Sequence, residues 1–206
     1  MVFKNQNNFI KINNGTYKLI DGITLFPEII NYIDNELELI IENYFKSYFK
    51  IYSISIYRTE PTTFEPSKSF LWHIDNCPKN EIKLMIYLDD VYESTGAFSI
   101  KSRHLSDLLF KKGFYDRTKI SNLNEILNEK NSTKICEGKV GTKILFQNGR
   151  CIHKATSPKH NHRDVASFVI IPSTIPWRVV YSRTMHLLST NSGICIFSRL
   201  PEHVRL

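Results

Sequence analysis

The sequence predicts a mainly β protein, an antiparallel sandwich or barrel with helices packed on one face. Two observations lead to this class. One strong helical pattern lies near the N-terminus, and after it come several short runs of alternating apolar and polar residues, separated by turn-rich loops. The later half also lacks the regular succession of strands and helices that a doubly wound α/β fold requires.

The helical pattern runs through "LFPEIINYIDNELELIIENYFKSYF", residues 25–49. Its apolar residues recur at alternating spacings of four and three positions: Phe26, Ile30, Ile33, Leu37, Ile40 and Tyr44. Such a one-sided stripe is typical of a helix that covers a core. Pro27 stands where a first-turn proline is tolerated. We therefore predict one continuous helix here, within an N-terminal helical layer of about residues 1–50.

The periodicity then changes to that of strands. In "IYSISIYR" isoleucine alternates with serine, and in "IKLMIYLDDV" Leu84, Ile86 and Leu88 alternate with Lys83, Met85 and Tyr87. Further short β runs are "GAFSI", "TKILF" and "VASFVIIP". We expect a β-barrel core over about residues 51–206. An insertion near residues 105–137 is expected to contain a second helix, from "SDLLF" and "NLNEILNE".

Length and composition limit the class of protein. A chain of 206 residues fits one domain, residues 1–206. The 27 basic and 20 acidic residues give a net charge of +7, but the basic residues are scattered. This favours a small anionic ligand over nucleic acid, and the sequence does not specify an oligomeric state. No apolar run approaches the roughly 20 residues of a membrane span. The polar start "MVFKNQNNFIKINNG" favours a cytoplasmic location.

The cysteines and several histidines are not assigned to a functional site. Cys77, Cys136, Cys151 and Cys195 are widely spread without a CxxC pair, so we predict that all four are unpaired. His104 is interpreted as structural, and His160 and His162, in a polar turn, as solvated.

Four other residues suggest a metal site. In "WHIDN", His73 and Asp75 are two apart, so on an extended chain their side chains project from the same face. His153 follows the run "TKILFQ" and the turn "NGR", and Arg163 opens the next strand. Two histidines and one carboxylate leave three coordination positions open, as in non-haem Fe(II) oxygen chemistry. An arginine offers a bidentate fork to the far carboxylate of a 2-oxo acid.

The order of these motifs resembles a known family. The segments "WHIDN", "IKLMIYLDDVYESTGAFSI", "SRH" and "GTKILFQNGRCIHKATSPKHNHRDVASFVIIPS" are similar to the phytanoyl-CoA dioxygenase family of Fe(II)/2-oxoglutarate oxygenases. The resemblance covers about residues 69–173. It implies a double-stranded β-helix, a jelly-roll barrel with helices outside. The glycine that the family has before Ser-His is absent here, where Lys101 to His104 read "KSRH".

The resemblance also implies a site. His73, Asp75 and His153 match the catalytic iron ligands, and Arg163 matches the 2-oxoglutarate clamp. Tyr87 falls where the family often has an aromatic near the cosubstrate, and Lys83, on the same strand face, is a weaker candidate for an anion. If Arg163 were only a surface residue, Lys83, Arg150 or Arg178 would hold the acid instead.

The implied activity is a dioxygenase that uses Fe(II), 2-oxoglutarate and O2. It would hydroxylate a C–H bond of a small molecule and release succinate and CO2, and the net charge favours an acidic substrate. The carboxylate at Asp75 favours hydroxylation, because related halogenases carry a small residue there. Two alternatives stay open. One is a cupin-like metalloprotein that does not use 2-oxoglutarate, against which Arg163 argues, and the other is a non-catalytic jelly-roll binding module.

Overall fold

The computed structural model describes residues 8–13, 15–20, 22–114 and 132–182. Its strands are β1 (Phe9–Asn13), β2 (Thr16–Leu19), β3 (Tyr48–Thr59), β4 (Ile82–Tyr87), β5 (Phe98–Lys101), β6 (Thr133–Cys136), β7 (Lys143–Phe146), β8 (His153–Lys154) and β9 (Arg163–Ser173). Its α-helices are α1 (Gly22–Leu25), α2 (Asn35–Phe45) and α3 (Arg103–Lys111), and residues 177–182 are also helical. Short 3-10 helices span Pro27–Tyr32, Lys68–Phe70 and Glu93–Thr95.

The strands form two antiparallel sheets. The larger sheet has six strands in the order β1-β2-β3-β9-β4-β7, and the smaller has three in the order β6-β5-β8. The main pairing joins β3 to β9, from Tyr48 opposite Ser173 to Thr59 opposite Arg163. The prediction of a mainly β protein with antiparallel sheets is confirmed. The helices do not share one face, because α2 packs on the large sheet and α3 packs in a separate cluster with Trp72 and Ile152.

The outer face of the large sheet forms the main core. Alternate residues of β3, β4 and β9, such as Ile54, Leu84 and Phe168, are buried in one apolar cluster with Leu37 and Ile41 of α2. The period of two in the strands explains this, because every second side chain points to the same face. The intervening residues point to the inner face, where the candidate site lies.

The predicted continuous helix of residues 25–49 is wrong in detail. A 3-10 helix over Pro27–Tyr32 ends at Ile33, and α2 starts afresh because the side chain of Asp34 accepts a hydrogen bond of 2.9 Å from the backbone N–H of Leu37. This N-cap interrupts the helix and shifts its phase. The buried residues are therefore Ile29, Ile33, Leu37 and Ile41, whereas Ile40 and Tyr44 are exposed.

The N-terminal layer is not purely helical either. β1 and β2 form a hairpin that adds to the edge of the large sheet beside β3. Gly15 stands in its turn with φ +75°, a conformation that glycine adopts at little cost. The short alternating run "FIKIN" is the sequence signal of this hairpin.

The predicted insertion near residues 105–137 divides into three parts. Its first part is α3, which confirms a helix at "SDLLF". The run "NLNEILNE" lies outside the described residues. The end of the segment is β6, which pairs with β5 and therefore belongs to the small sheet.

Two further expectations concern the whole chain. Cys77, Cys136 and Cys151 are free, as predicted, and Cys195 lies outside the described residues. In the described ranges, no helix combines the length and the apolar character needed to cross a membrane.

Candidate metal and anion site

His73 and His153 are brought together by backbone pairing. The two residues form an isolated antiparallel bridge, in which each N–H donates to the carbonyl of the other at 2.9 and 2.8 Å. Their imidazole rings lie 4.3 Å apart between centroids, and both side chains are buried. The bridge fixes the separation of two residues that are far apart in the sequence.

Asp75 completes a group of three donor side chains. Its Oδ1 lies 3.6 Å from Nε2 of His73 and 3.8 Å from Nε2 of His153. One donor atom from each residue lies within 4.8 Å of the other two. The backbone N–H of Asp75 donates to the carbonyl of Asn148 at 3.0 Å, which holds this end of the loop against the turn before His153.

The ring nitrogens that face away from Asp75 are occupied. Nδ1 of His73 lies 2.8 Å from the carbonyl oxygen of Leu71, and Nδ1 of His153 lies 2.8 Å from that of Cys151. In neutral rings, Nδ1 then carries the hydrogen and Nε2 presents a lone pair toward Asp75, as metal-binding histidines require. Burial, together with the neighbouring His73, lowers the pKa of His153 to about 3, which favours this neutral form.

The second oxygen of Asp75 is anchored by Lys83, a predicted site residue, and by Asn148, which sequence reasoning missed. This oxygen, Oδ2, accepts from Nζ of Lys83 and, at 3.1 Å, from Nδ2 of Asn148. Asn148 is fully buried and also donates to Glu81 at 2.6 Å and to the sulfur of Cys77 at 3.3 Å. Burial opposes ionisation of Asp75, but the interactions with the neighbouring His73 and Lys83 outweigh it and lower the pKa of this carboxyl.

Arg163 carries a buried charge on the inner face of the large sheet. Its Nη1 donates to the carbonyls of Gly96 and, at 3.4 Å, Thr156, and its Nη2 lies 3.4 Å from the hydroxyl of Thr59. Its Nε is buried without a partner. Burial lowers the pKa of Arg163, yet a guanidinium starts so high that it stays protonated. Among the described residues, no carboxylate pairs with this cation.

One cavity of about 260 Å³ connects these groups. Its lining includes the three donor residues, Lys83 and Arg163, together with apolar side chains from both sheets: Met85, Phe98, Phe146, Val165 and Val169. The arrangement therefore offers a triad of metal donors and an unmatched guanidinium to the same cavity. Such a cavity could hold a divalent metal at the triad and a small anion at Arg163.

The other predicted site residues have different positions. Tyr87 is fully buried beside the cavity rather than in its lining. Its hydroxyl donates to the backbone carbonyl of Cys136 at 2.6 Å and accepts from the backbone N–H of Phe98 at 3.1 Å. Lys83 lines the cavity, but its charge is paired with Asp75. Arg178 pairs with Glu38 at 2.8 Å, outside the cavity lining.

A second group of donors was missed by sequence reasoning. Asp89, His162 and Asp164 also lie within metal-binding distance of one another. However, Asp164 already accepts two hydrogen bonds from Arg58, at 2.9 and 2.7 Å, and the side chain of His162 is 44% exposed. This second group is therefore the weaker candidate for a metal.

This chain resembles known proteins in its structure but not detectably in its sequence. No family model and no curated protein sequence matches the chain. The structure of HygX from Streptomyces hygroscopicus with nickel, 2-oxoglutarate and hygromycin B bound gives a TM-score of 0.53 at 14% identity, covering 82% of this chain and 74% of that one. The non-heme alpha ketoglutarate dependent epimerase SnoN from nogalamycin biosynthesis gives a TM-score of 0.56 at 12% identity, covering 80% and 67%.

At these identities the likeness establishes the fold. The mainly β, antiparallel architecture of this chain is consistent with the jelly-roll-like fold of these neighbours. Membership of the phytanoyl-CoA dioxygenase family stays a prediction.

Proposed function

We propose that this protein is an Fe(II)- and 2-oxoglutarate-dependent dioxygenase with a double-stranded β-helix fold. His73, Asp75 and His153 would hold the iron, and Arg163 would bind the distal carboxylate of 2-oxoglutarate. The observation that carries the proposal is the buried guanidinium of Arg163, which has no carboxylate among the described residues and faces the same cavity as the three donors. Burying an unmatched charge is costly unless a ligand neutralises it.

The donor set suits this cofactor. Two neutral imidazoles and one carboxylate leave coordination positions open for other ligands, as in non-haem Fe(II) oxygenases. When bound, iron with 2-oxoglutarate and O2 supplies an oxidant strong enough for C–H bonds, while 2-oxoglutarate leaves as succinate and CO2. Two neighbours with this fold support the same cosubstrate here, because HygX binds 2-oxoglutarate and SnoN is an alpha ketoglutarate dependent epimerase.

The chain's own residues would position the reactants and exclude water. Nε2 of both histidines and Oδ1 of Asp75 face one point, while Lys83 and Asn148 hold the other carboxylate oxygen. Arg163 would orient 2-oxoglutarate by two parallel hydrogen bonds. The apolar cluster around Tyr87 contributes Phe98, Phe146 and Val165 to the cavity wall and would help to exclude water. We therefore assign Tyr87 to supporting the cavity wall.

We further propose that the outcome is hydroxylation of a small molecule. Asp75 fills the position that a small residue occupies in related halogenases, and this favours hydroxylation. The paired state of Lys83 argues against its serving as the main anion clamp.

The test is to add Fe(II) and 2-oxoglutarate to the protein without oxygen. A weak visible charge-transfer band is expected only when both are present, and O2 with a suitable substrate is expected to release succinate. The variants His153→Ala and Asp75→Ala are expected to lose the band, whereas the control His104→Ala, at an exposed position on α3, keeps it. A metal-bound protein that gives no band with 2-oxoglutarate would favour the cupin-like alternative.

A further inference from the structure

Part of the cavity wall has a composition that neither the metal nor Arg163 explains. Alternate residues of β3 face the cavity, and with neighbours on β2 and β9 they form what we call the hydroxyl wall: Thr16, Ser53, Ser55, Tyr57 and Ser167. The intervening residues Ile54 and Ile56 point to the apolar core. The same strand is thus apolar on its outer side and lined with hydroxyl groups on its inner side.

Most of these hydroxyls lack protein partners. Ser55 and Ser167 lie directly opposite one another on β3 and β9 and are half-buried, as is Ser53. Within the described part of the chain, no hydrogen bond occupies these three hydroxyls. Thr16 is 8% exposed and its buried Oγ1 is unpartnered. Buried polar atoms are nearly always hydrogen-bonded in folded proteins, so the buried Oγ1 of Thr16 needs a partner. The three serine hydroxyls are open to the cavity, where the same ligand could bond to them.

The charged groups of the cavity are already assigned. Lys83 is paired with Asp75, Arg163 is the proposed partner of 2-oxoglutarate, and Asp75 is a proposed metal ligand. The described lining then holds no further cation or carboxylate to neutralise a charged substrate. Of the chain's 27 basic residues, the lining contains Lys83 and Arg163, so the net charge of +7 does not favour an acidic substrate within this cavity.

We infer that the primary substrate presents an uncharged, polyhydroxylated portion to this cavity, an inference that rests on the proposed function. A serine or threonine hydroxyl both donates and accepts, and so matches the hydroxyl groups of a sugar or polyol. Ser55 and Ser167 would be the central contacts, because they face each other across adjacent strands. The expectation of an acidic substrate is replaced by that of a neutral one.

The test uses three probes with the same six-membered ring size. Methyl glucoside is neutral and polyhydroxylated, methyl glucuronoside differs from it by a carboxylate, and cyclohexylmethanol lacks the ring hydroxyls. Each is titrated, with saturation-transfer NMR as the readout, into protein loaded with Zn(II) and 2-oxoglutarate. Methyl glucoside is expected to bind at least about fivefold tighter than either other probe. This ratio corresponds to about one net hydrogen bond.

Variants locate the binding. The double variant Ser55→Ala/Ser167→Ala is expected to bind methyl glucoside about fivefold more weakly, or weaker still. Ser47→Ala, at an exposed position outside the cavity, is expected to leave this affinity unchanged. Loading with Zn(II) and 2-oxoglutarate is measured first for every protein. Failure of the wild type to load would overturn the proposed function. Successful loading with equal or tighter binding of the carboxylate or the apolar probe, or no binding of methyl glucoside at millimolar concentration, would overturn this inference alone.

Discussion

Two arginines on opposite faces of the large sheet differ in whether a carboxylate neutralises them. Arg58 and Asp164 face each other on β3 and β9, and their side chains form two hydrogen bonds of 2.9 and 2.7 Å on the outer face. One position along, Thr59 faces Arg163, whose guanidinium points to the inner cavity and has no carboxylate among the described side chains. Neighbouring positions of the same strand pair therefore hold a half-buried cation with a carboxylate partner and a fully buried cation without one.

The difference indicates which arginine is structural. A protein gains little by burying a guanidinium without a counter-charge, whereas a matched pair can be tolerated in a core. Arg58 thus belongs to the packing of the outer face. Arg163 is kept in place by neutral carbonyl and hydroxyl oxygens, which orient it without neutralising it, and so it is ready for an anion.

The largest effect is expected from Arg163→Leu. Truncating one partner of a buried ion pair costs roughly 2–5 kcal/mol, which corresponds to about 30-fold to several-thousand-fold weaker 2-oxoglutarate binding. Arg163→Lys is expected to lie between leucine and arginine, because lysine keeps the charge and loses the fork. Titration of 2-oxoglutarate into the anaerobic Fe(II) protein measures both.

The matched control for that experiment is Arg178→Leu. This arginine pairs with Glu38 and is 54% exposed in its side chain, so its loss is expected to leave 2-oxoglutarate binding unchanged. Binding by Arg163→Leu within about threefold of wild type, less than 1 kcal/mol, would remove Arg163 from the site.

Arg58→Leu is expected to lower stability without affecting cosubstrate binding, the reverse of Arg163→Leu. It leaves Asp164 buried without its partner, and removing one member of a buried pair costs roughly 3 kcal/mol of the free energy of unfolding. Denaturant unfolding of the metal-free protein measures this loss. The folded fraction is expected to bind 2-oxoglutarate as wild type does. If stability were unchanged and cosubstrate binding lost, the roles of the two arginines would have to be exchanged.

Asn148→Leu tests how the metal ligand Asp75 is held. The change keeps the branching at Cγ, with a larger side chain, and removes the hydrogen bond to Oδ2 of Asp75. Loss of a partner that orients a metal ligand typically weakens metal affinity by about 10-fold to 100-fold. Co(II) titration in the absence of 2-oxoglutarate gives the affinity. Asn76→Leu, at the exposed neighbour of Asp75, is the control, and equal affinities in the two variants would show that Lys83 holds the carboxylate alone.

Gly96→Ala tests the backbone that holds Arg163 in place. Gly96 has φ +88°, and an added Cβ would lie 2.6 Å from the carbonyl oxygen of Thr156. The positive φ alone costs an alanine about 1–2 kcal/mol. Because the carbonyls of Gly96 and Thr156 both accept from Arg163, the variant is also expected to bind 2-oxoglutarate more weakly than its stability loss implies. Thermal melting and cosubstrate titration on the same sample separate the two effects.

The strands were predictable from local pattern, because burial on one face imposes a period of two. The alternation around Ile54, Leu84 and Ile170 therefore located β3, β4 and β9 correctly. The prediction of one helix over residues 25–49 was wrong, and the reason is also local. The cap at Asp34 competes with helix continuation, and an apolar stripe does not reveal which of the two wins.

The supporting contacts of the site were not predictable. Asn148 and Asp75 are 73 positions apart, and Gly96 and Arg163 are 67 apart, so their meeting depends on how the two sheets close on one another. Sequence reasoning could suggest His73, Asp75 and His153 because metal chemistry restricts the residue types. An asparagine or a backbone carbonyl that orients a ligand has no such restriction.

The most direct test is anomalous diffraction at the iron edge from crystals grown anaerobically with Fe(II) and 2-oxoglutarate. Two donor groups in the described chain compete for the metal. We predict one iron peak between His73, Asp75 and His153, with 2-oxoglutarate extending from it to the guanidinium of Arg163. An iron peak between Asp89, His162 and Asp164, or a 2-oxoglutarate molecule that does not contact Arg163, would contradict the account.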